Sequence, residues 1–327
     1  MRHLKKFASY AVPFVLGGLL LYWVLKDLPL GELRAGIGNL RERMNPALLT
    51  LAVAGYLALA VLHGARFRWV LKKEAPLTLP QAFGIYSIAN LLNIFIPARA
   101  GDLYKPLRAA KLSHTAFAEA LALATADLIL WGFGFVVWMT VIALFSWDLL
   151  ALLPRLRLAI VLEAVGGLAG LGLFAALAKR FHRWPEPEGK WLKRLWMFLK
   201  GMYATITVRV ALPAQAYAFA GWFCEIMIAY AVAGGLGLHI SFAQGAVVMA
   251  AVTTAMIIPS PGGVGPFEAA ATYVFTLYGA PKAEAALLAI AYHLIFIAVP
   301  LVVGAVCYIA QQVSERGEPE VPGETSA

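Results

Sequence analysis

Two short segments interrupt the apolar runs of this sequence in the same way, and they decide the fold. Residues 94–101 read Ile-Phe-Ile-Pro-Ala-Arg-Ala-Gly, and residues 256–263 read Met-Ile-Ile-Pro-Ser-Pro-Gly-Gly. In each segment a proline ends an apolar run, a glycine follows four residues later, and an alanine-rich stretch comes next. Proline inside a helix removes a backbone hydrogen bond and clashes with the preceding turn. The pattern therefore predicts a broken helix at each segment.

The apolar runs beside each break are too short to cross a membrane alone. The 15 residues that precede Pro97, and the 15 that precede Pro259, extend over about 22 Å at the helical rise, whereas the hydrocarbon core is about 30 Å thick. We therefore predict two re-entrant helical hairpins, over 82–113 and 244–279. Their short arms are residues 82–96 and 103–113 at the first break, and 244–258 and 267–279 at the second.

The composition identifies the class of protein that contains these hairpins. Of the 327 residues, 61% are hydrophobic and 14% are charged, against about 45–50% and about 25% in a soluble domain. These values exclude a soluble enzyme, a disordered chain and a nucleic-acid-binding module. We predict an all-α polytopic membrane protein. Its six full spans are residues 7–25 (an uncleaved first span), 46–65, 114–146, 158–178, 211–236 and 283–311.

Basic residues predict the orientation, because cytoplasmic loops are rich in lysine and arginine. If both hairpins return to the side from which they enter, 20 of the 27 basic residues lie on one side. That side is then the cytoplasm of a bacterial-type inner membrane, and both termini lie there. The first hairpin enters from the cytoplasm and the second from outside.

Opposed hairpins predict an inverted repeat, an architecture of secondary transporters. Its halves are about 46–178 and about 211–311 within an integral membrane domain of residues 1–313, and we expect residues 314–327 to form a disordered tail. Two basic amphipathic segments, 32–45 and 190–206, are typical of helices in the headgroup layer. Loop helices packed on the bundle are the alternative.

The motif at the first break, Pro97 to Tyr104, resembles the first motif of the lysylphosphatidylglycerol synthase transmembrane-region family. The motif at the second break, Pro259 to Glu268, is similar to the second motif of that family. Segment order and length extend the resemblance over nearly the whole chain. The family is described as flippase-like, so the resemblance implies translocation of aminoacylated phosphatidylglycerol or, in stand-alone relatives, of isoprenoid-linked or hopanoid-type lipids.

Two features depart from the family pattern. Fused synthases carry a large soluble aminoacyl-transfer domain, and we expect none in this chain, so synthase activity is not expected. Many members also carry a Glu-Arg pair shortly before an aspartate in the helix after the first motif. Asp127 matches that aspartate, but Leu123 and Ala124 occupy the positions of the pair. The resemblance therefore does not extend to a shared scheme of headgroup binding.

The first hairpin concentrates charge. Arg99, Asp102, Lys105 and Arg108 recur at intervals of three residues and would share one side of a helical segment. Arginine forks and a lysine suit a phosphate group, and Asp102 is expected to orient Arg99 or to cap the next half-helix. The alternative is a basic flank that touches only bulk lipid headgroups.

The second break offers backbone amides. Gly262, Gly263 and Gly265 precede a half-helix that begins near Pro266, and the N–H groups at such a helix start bind anions. We interpret Glu268, in the first turn, first as a cap and second as a coupling group or a headgroup-amine contact. Glycines that only permit close helix packing are the alternative.

We single out three ionisable residues within the predicted spans, Glu225, Asp127 and His293, because charge is expensive there. Glu225 and Asp127 are candidate proton carriers or cation partners, and the alternative is a structural role. His293 is interpreted first as a hydrogen-bonded core histidine and second as a coupling residue. The remaining histidines lack metal-ligand spacing, and the sequence contains no nucleotide-binding or nucleophile-elbow motif, so we expect no cofactor and no enzyme.

We therefore predict a transporter that moves an anionic, polyprenyl or hopanoid-type lipid between leaflets. The expected partners are a lipid with a phosphate headgroup and anionic lipids at the cytoplasmic face, without nucleic acid, and a homo-oligomer stays open. The alternatives are an intramembrane lipid-modifying enzyme and an accessory protein of a lipid or cell-envelope biosynthesis complex.

Overall fold

The computed structural model describes residues 15–26, 28–147, 151, 154–181 and 185–317, and this part of the chain is helical and contains no strand. The all-α prediction is therefore confirmed. The helices up to the middle of the chain are α1 (Val15–Leu25), α2 (Leu30–Glu42), α3 (Pro46–Leu71), α4 (Leu79–Phe95), α5 (Tyr104–Ser113), α6 (Phe117–Phe145) and α7 (Pro154–Phe181). They are followed by α8 (Lys190–Thr205), α9 (Val208–Gly235), α10 (Phe242–Ala255), α11 (Pro266–Leu277) and α12 (Lys282–Gly317).

Five of these helices, among the described residues, are long and apolar enough to cross a membrane: α3, α6, α7, α9 and α12. The chain is thus a multi-pass membrane protein. The five correspond to five of the six predicted spans. The sixth, residues 7–25, lies partly outside the described residues, and its described part forms α1.

Both predicted breaks are present. A 3₁₀ segment, Pro97–Leu103, separates α4 from α5, and a second one, Pro261–Gly263, lies between α10 and α11. The helices before the breaks also begin alike, since each has a reciprocal capping box. Thr78 pairs with Gln81 at the start of α4, and Ser241 pairs with Gln244 at the start of α10.

The order of elements is the same in two parts of the chain. A long helix, a short helix, a 3₁₀ break, a short helix and a long helix follow one another in α3–α6 and again in α9–α12. The two parts also pack on each other: α4 packs extensively on α12, α10 touches α6 at a few residues, and the two leading helices, α3 and α9, pack extensively on each other. Each short helix before a break therefore contacts the last helix of the other part.

Two helices extend further than expected. Helix α3 continues to Leu71, six residues beyond its predicted end, and so includes Arg66. Helix α12 continues through Gly317, which corrects the prediction of a disordered tail from residue 314. The last turns of α12 are held because Glu315 pairs with Arg108 and Lys111 of α5. Residues 318–327 of the predicted tail lie outside the described residues.

The two amphipathic segments form α2 and α8. Helix α2 packs on α12 and α8 packs on α6, as expected of loop helices on a bundle. Trp191, Leu192 and Leu195 of α8 are nevertheless exposed. Lysine and arginine side chains accompany them, with Arg194 near the Trp191 ring and Lys200 over the Trp196 ring. This face of α8 is typical of a helix that lies in the lipid headgroup layer.

Candidate functional site

The two breaks contact each other. The segment Pro261–Gly263 contacts both α4 and the segment Pro97–Leu103. A methyl group placed on Gly262 would lie 3.4 Å from the carbonyl oxygen of Ile94, the residue three positions before Pro97. The two interruptions predicted from the sequence therefore form one site, where two helices that lack continuous backbone hydrogen bonding face each other.

One carboxylate organises the charges of the first break. Asp102 Oδ2 accepts a hydrogen bond from Arg99 Nε at 3.0 Å, and Asp102 Oδ1 lies 2.8 Å from Lys105 Nζ. Asn93 Nδ2 also donates to Asp102 Oδ1, at 3.4 Å. A 3₁₀ helix has three residues per turn, which is why residues three apart align here. The group of Arg99, Asp102 and Lys105, which we call the first-break cluster, has two cations and one anion.

Arg99 is the exposed member of this cluster, with 65% of its side chain accessible. Its backbone has a φ of 55°, in the left-handed region that non-glycine residues seldom adopt. Within the described residues only its Nε–H donates a hydrogen bond, to Asp102, so the two terminal nitrogens of the guanidinium keep their donors for a ligand. The predicted orienting role of Asp102 matches this geometry.

The close approach at Gly101 holds the first break against α4. A methyl group on Gly101 would lie 2.5 Å from the carbonyl oxygen of Ala89 and 2.6 Å from Asn93 Oδ1. Both distances are far below van der Waals contact. Glycine is thus required at this position for the backbone of the break to reach α4.

Arg108 does not join the other basic residues of the first break. Its Nη1 lies 2.5 Å from Glu315 Oε1, and Lys111 Nζ lies 3.7 Å from the same oxygen. One turn away, the Tyr104 hydroxyl donates to Gln311 Oε1 at 2.6 Å. These contacts, which we call the α5–α12 latch, tie the helix after the first break to the end of the last helix.

Glu268 and His293 organise the second break. Gly265 N–H donates to Glu268 Oε2 at 2.7 Å, which is the capping contact expected for Glu268. The other carboxyl oxygen, Oε1, lies 2.6 Å from His293 Nδ1, and His293 Nε2 lies 2.9 Å from the carbonyl oxygen of Gly262. The Phe267 ring stacks on the imidazole with centroids 4.2 Å apart. The two side chains join α11, α12 and the loop of the break.

The glycines of the second break have conformations that explain their identity. Gly262, Gly263 and Gly265 all have positive φ, at 58°, 83° and 96°. A methyl group on Gly265 would lie 2.3 Å from the carbonyl oxygen of Gly17, so helix α1 packs directly on the loop. Tight turning and close packing both require glycine here.

Glu225 lies on α9 and is half-buried. Its carboxyl group interacts electrostatically with Arg99 of the first-break cluster. The structure therefore places Glu225 near the first-break cluster.

Asp127 has a partner that the sequence analysis missed. Arg66 Nε and Nη2 donate to Asp127 Oδ1 and Oδ2 at 2.8 and 2.9 Å, and both residues are buried. Arg66 directly follows the predicted span 46–65, so the count of basic residues places it on the cytoplasmic side. Arg66 lies one turn after His63 on the same helix, and His63 Nδ1 is 3.4 Å from Arg66 Nη2. This spacing is the sequence feature that indicates an inward-facing Arg66.

Aromatic rings connect this buried pair to the first-break cluster. The Arg66 guanidinium lies 4.7 Å from the centroid of the Trp131 ring, which contacts His63. His63 stacks on Tyr86 with centroids 4.3 Å apart, and Lys105 Nζ lies 5.5 Å from the centroid of the Tyr86 ring. One acid that the sequence analysis missed, Glu163 of α7, accepts from Thr254 Oγ1 at 3.1 Å. In the described part of the chain, no group of three or more histidine, cysteine, aspartate or glutamate side chains could hold a metal ion.

Comparison with known proteins identifies the family. No curated protein matches this chain. The family model described as the lysylphosphatidylglycerol synthase TM region matches residues 10–304. The match includes both breaks, the first-break cluster and the Glu268–His293 pair, and it ends before the Gln311 and Glu315 members of the α5–α12 latch. The chain therefore belongs to the lysylphosphatidylglycerol synthase transmembrane-region family.

Proposed function

We propose that this protein moves a lipid with a phosphate-containing headgroup, an anionic phospholipid or a polyprenyl-type lipid, between the two leaflets of the membrane. The observation that carries the proposal is the meeting of the two breaks at Ile94 and Gly262. It creates a polar site inside a bundle of apolar helices, and a headgroup needs such a site to pass the hydrocarbon core.

Arg99 and Lys105 are proposed to bind the phosphate. They share one carboxylate, Asp102, so the first-break cluster keeps a net positive charge for an anion. The free terminal donors of Arg99 provide the planar fork that suits phosphate oxygens. Arg108 is proposed to bind after Glu315 releases it, because the latch occupies its guanidinium in this structure.

The second break is proposed to complete the headgroup site. Gly262, Gly263 and Gly265 bring the backbone close to the first break, and Glu268 holds the loop by its hydrogen bond with Gly265. Glu225, which interacts electrostatically with Arg99, is proposed to balance the charge of the cluster when the headgroup leaves. Asp127, fixed by Arg66, is proposed to hold the helices in register rather than to carry protons.

The repeated order of elements supports the proposal of an inverted repeat. Equivalent breaks, equivalent capping boxes and reciprocal contacts relate α3–α6 to α9–α12. We propose that the two hairpins enter from opposite sides of an inner membrane, with both termini in the cytoplasm. Each leaflet would then reach the site through one hairpin, which is how inverted repeats alternate access.

The basic face of α8 supports the proposed contact with anionic lipids at the cytoplasmic surface. Trp191, Leu192 and Leu195 are exposed beside Lys190 and Arg194. Apolar side chains that enter the acyl boundary while cations meet anionic headgroups are typical of interfacial helices.

The test is lipid movement in proteoliposomes. The purified chain is reconstituted with fluorescent phosphatidylglycerol, phosphatidylethanolamine or a polyprenyl phosphate, and a membrane-impermeant quencher reports how much label reaches the outer leaflet. We expect faster exchange than in protein-free liposomes for at least one of these lipids. Arg99→Gln should slow it at least about tenfold, since a charge-assisted bidentate contact is lost. Arg34→Gln, on the exposed surface of α2, is the matched control.

Two results would overturn the proposal. Exchange at the protein-free rate for every lipid of the panel would contradict transport. A new lipid product, detected by mass spectrometry after incubation, would instead identify a lipid-modifying enzyme.

A further inference from the structure

The hydrogen bonds of the Glu268–His293 pair require one proton more than a neutral histidine and an ionised glutamate carry. A carbonyl oxygen only accepts, so His293 Nε2, 2.9 Å from the oxygen of Gly262, must carry a hydrogen. The 2.6 Å contact of Nδ1 with Glu268 Oε1 also needs a hydrogen between the two atoms. A neutral imidazole has one N–H and an ionised carboxylate has none, so together they cannot supply both.

Two arrangements satisfy both contacts. Either an imidazolium faces a carboxylate, or a neutral imidazole accepts from a protonated carboxyl group. Both contain two titratable protons and have no net charge. Loss of one proton to water leaves a net charge of −1 and turns one of the two hydrogen bonds into a contact between two acceptors. That bond must then break.

Burial favours the protonated pair. His293 and Glu268 are only 2% and 6% exposed, and the Phe267 ring covers a face of the imidazole. An unbalanced charge in such a place is expensive. The ionisable groups on the surrounding elements are Tyr22 on α1, Tyr56, His63, Arg66 and Arg68 on α3, Tyr86 on α4, Arg99 and Asp102 on the first break, Arg209, Tyr217, Cys224, Glu225 and Tyr230 on α9, Tyr273 on α11, Lys282, Glu284, Tyr292, Cys307, Tyr308, Glu315 and Arg316 on α12, and Glu32, Arg34, Arg41 and Glu42 on α2.

The pair also holds the loop of the second break. His293 binds the carbonyl of Gly262, and Glu268 binds the N–H of Gly265. These two contacts bracket the stretch in which all three glycines have positive φ. Gly262 in turn packs on Ile94 of the other break. Loss of one hydrogen bond at the pair therefore either frees the carbonyl of Gly262 or separates His293 from Glu268, and both weaken the hold on the loop.

We propose that Glu268 and His293 form a proton-binding site, in which one exchangeable proton keeps the loop 260–265 closed on the first break and its loss opens that loop. The coupling of this opening to lipid movement rests on the function proposed above. The proton site itself does not, because it concerns only these two residues and the loop.

Glu268→Gln tests the site directly, because an amide can make all three contacts without the extra proton. Its oxygen accepts from Gly265 N–H, its NH₂ donates to Nδ1, and a neutral imidazole donates from Nε2 to Gly262. The substitution should therefore leave a loop that stays closed at every pH. Glu268→Ala, which makes none of the carboxyl contacts, should open the loop at every pH.

The readout is the reaction rate of a cysteine in the loop. Ser260→Cys is nearly isosteric, the Ser260 hydroxyl is buried without a hydrogen-bond partner, and Cys224 and Cys307 are first replaced by alanine. A maleimide labels the reconstituted full chain from about pH 5 to about pH 9, the range in which histidine changes charge. The same reaction in the Glu268→Gln background corrects for the chemistry of the thiol.

We expect the ratio of the two rates, native over Glu268→Gln, to rise about tenfold or more with pH, since one charge-assisted hydrogen bond is lost. A ratio that stays constant would overturn the proposal. Nitrogen NMR of labelled histidine, assigned with His293→Gln, should show that the His293 signal changes protonation over the same range. A signal that does not change while the ratio rises would also overturn it. Neither experiment measures lipid movement, so failure here is distinct from failure of the proposed function.

Discussion

Arg66 and Asp127 form a two-point ion pair inside the helix bundle. Arg66 Nε and Nη2 lie 2.8 and 2.9 Å from the two carboxyl oxygens, and the side chains are 3% and 5% exposed. The pair connects α3 to α6, which are the first and the last helix of the segment α3–α6. Arg66 Nη1 is buried without a hydrogen-bond partner, so the guanidinium depends on Asp127 for its charge balance.

Removal of one member of this pair should destabilise the fold strongly. Asp127→Leu leaves an unpaired guanidinium in an apolar environment, and we expect the free energy of unfolding to fall by about 3–5 kcal/mol. The measurement is denaturant unfolding of the purified protein in detergent micelles.

The double variant Arg66→Met/Asp127→Leu separates charge from packing. With no charge left unpaired, it should recover most of the lost stability. A double variant as unstable as Asp127→Leu alone would show that the pair does not act through its charges.

Close packing at the first break predicts a sharp difference between two glycines. Gly101→Ala places a methyl group 2.5 Å from the carbonyl oxygen of Ala89, so α4 and the break must move apart. We expect loss of about 2 kcal/mol or more of stability, the scale of an overpacked core. Thermal unfolding in detergent measures it.

Gly132→Ala is the matched control. The same methyl group on Gly132, in helix α6, meets no atom within 4 Å. Alanine forms helix better than glycine, so stability should be unchanged or slightly higher. Equal losses at both positions would show that the break does not pack on α4 as described.

The α5–α12 latch predicts a gain of lipid binding when it is opened. Glu315→Gln removes the anion that holds Arg108 and Lys111, and both cations become available to phosphate. A partly exposed ion pair contributes about 1 kcal/mol or less, so the affinity for phosphatidylglycerol in detergent should rise about two- to fivefold. Native mass spectrometry of a lipid titration measures it.

Two variants determine whether Arg108 causes that gain. Arg108→Gln in the Glu315→Gln background should return the affinity to the starting value or below it. Glu32→Gln, an exposed acid on α2, should leave the affinity unchanged. A similar gain from Glu32→Gln would show that only the net charge matters.

Much of this architecture follows from apolar run lengths and from the prolines. Pro97 and Pro259 end runs too short to cross the membrane, and the structure breaks its helices at both positions. Sequence-local chemistry was also readable, since Asp102 pairs with residues three positions away and Glu268 caps its own helix. These contacts depend on spacing along one segment, which the sequence contains.

The missed contacts join residues far apart in the chain. Asp127 and Arg66 are 61 positions apart, and His293 and Glu268 are 25 apart on different helices. Basic residues that crowd at the end of an apolar run, as Arg66 and Arg68 do, look like a cytoplasmic flank, although α3 continues past them. Glu315 falls within the predicted disordered tail, 314–327. Its partners lie on α5, about 200 residues earlier, so the sequence gives no sign that this end is held. Only the packing of helices brings such partners together.

The central claim is that the two breaks form one site and must separate for a lipid headgroup to pass. Ile94→Cys with Gly262→Cys tests it, because a Cβ on Gly262 would lie 3.8 Å from the Ile94 Cα and 3.9 Å from its Cγ2, so two cysteine side chains at these positions would be in contact. The measurement is the exchange of fluorescent lipid in proteoliposomes before oxidation, after oxidation and after reduction, with Cys224 and Cys307 replaced by alanine. Exchange should stop on oxidation and return on reduction, whereas the single variants should be insensitive to both. Exchange at an unchanged rate in the fully oxidised protein would contradict it.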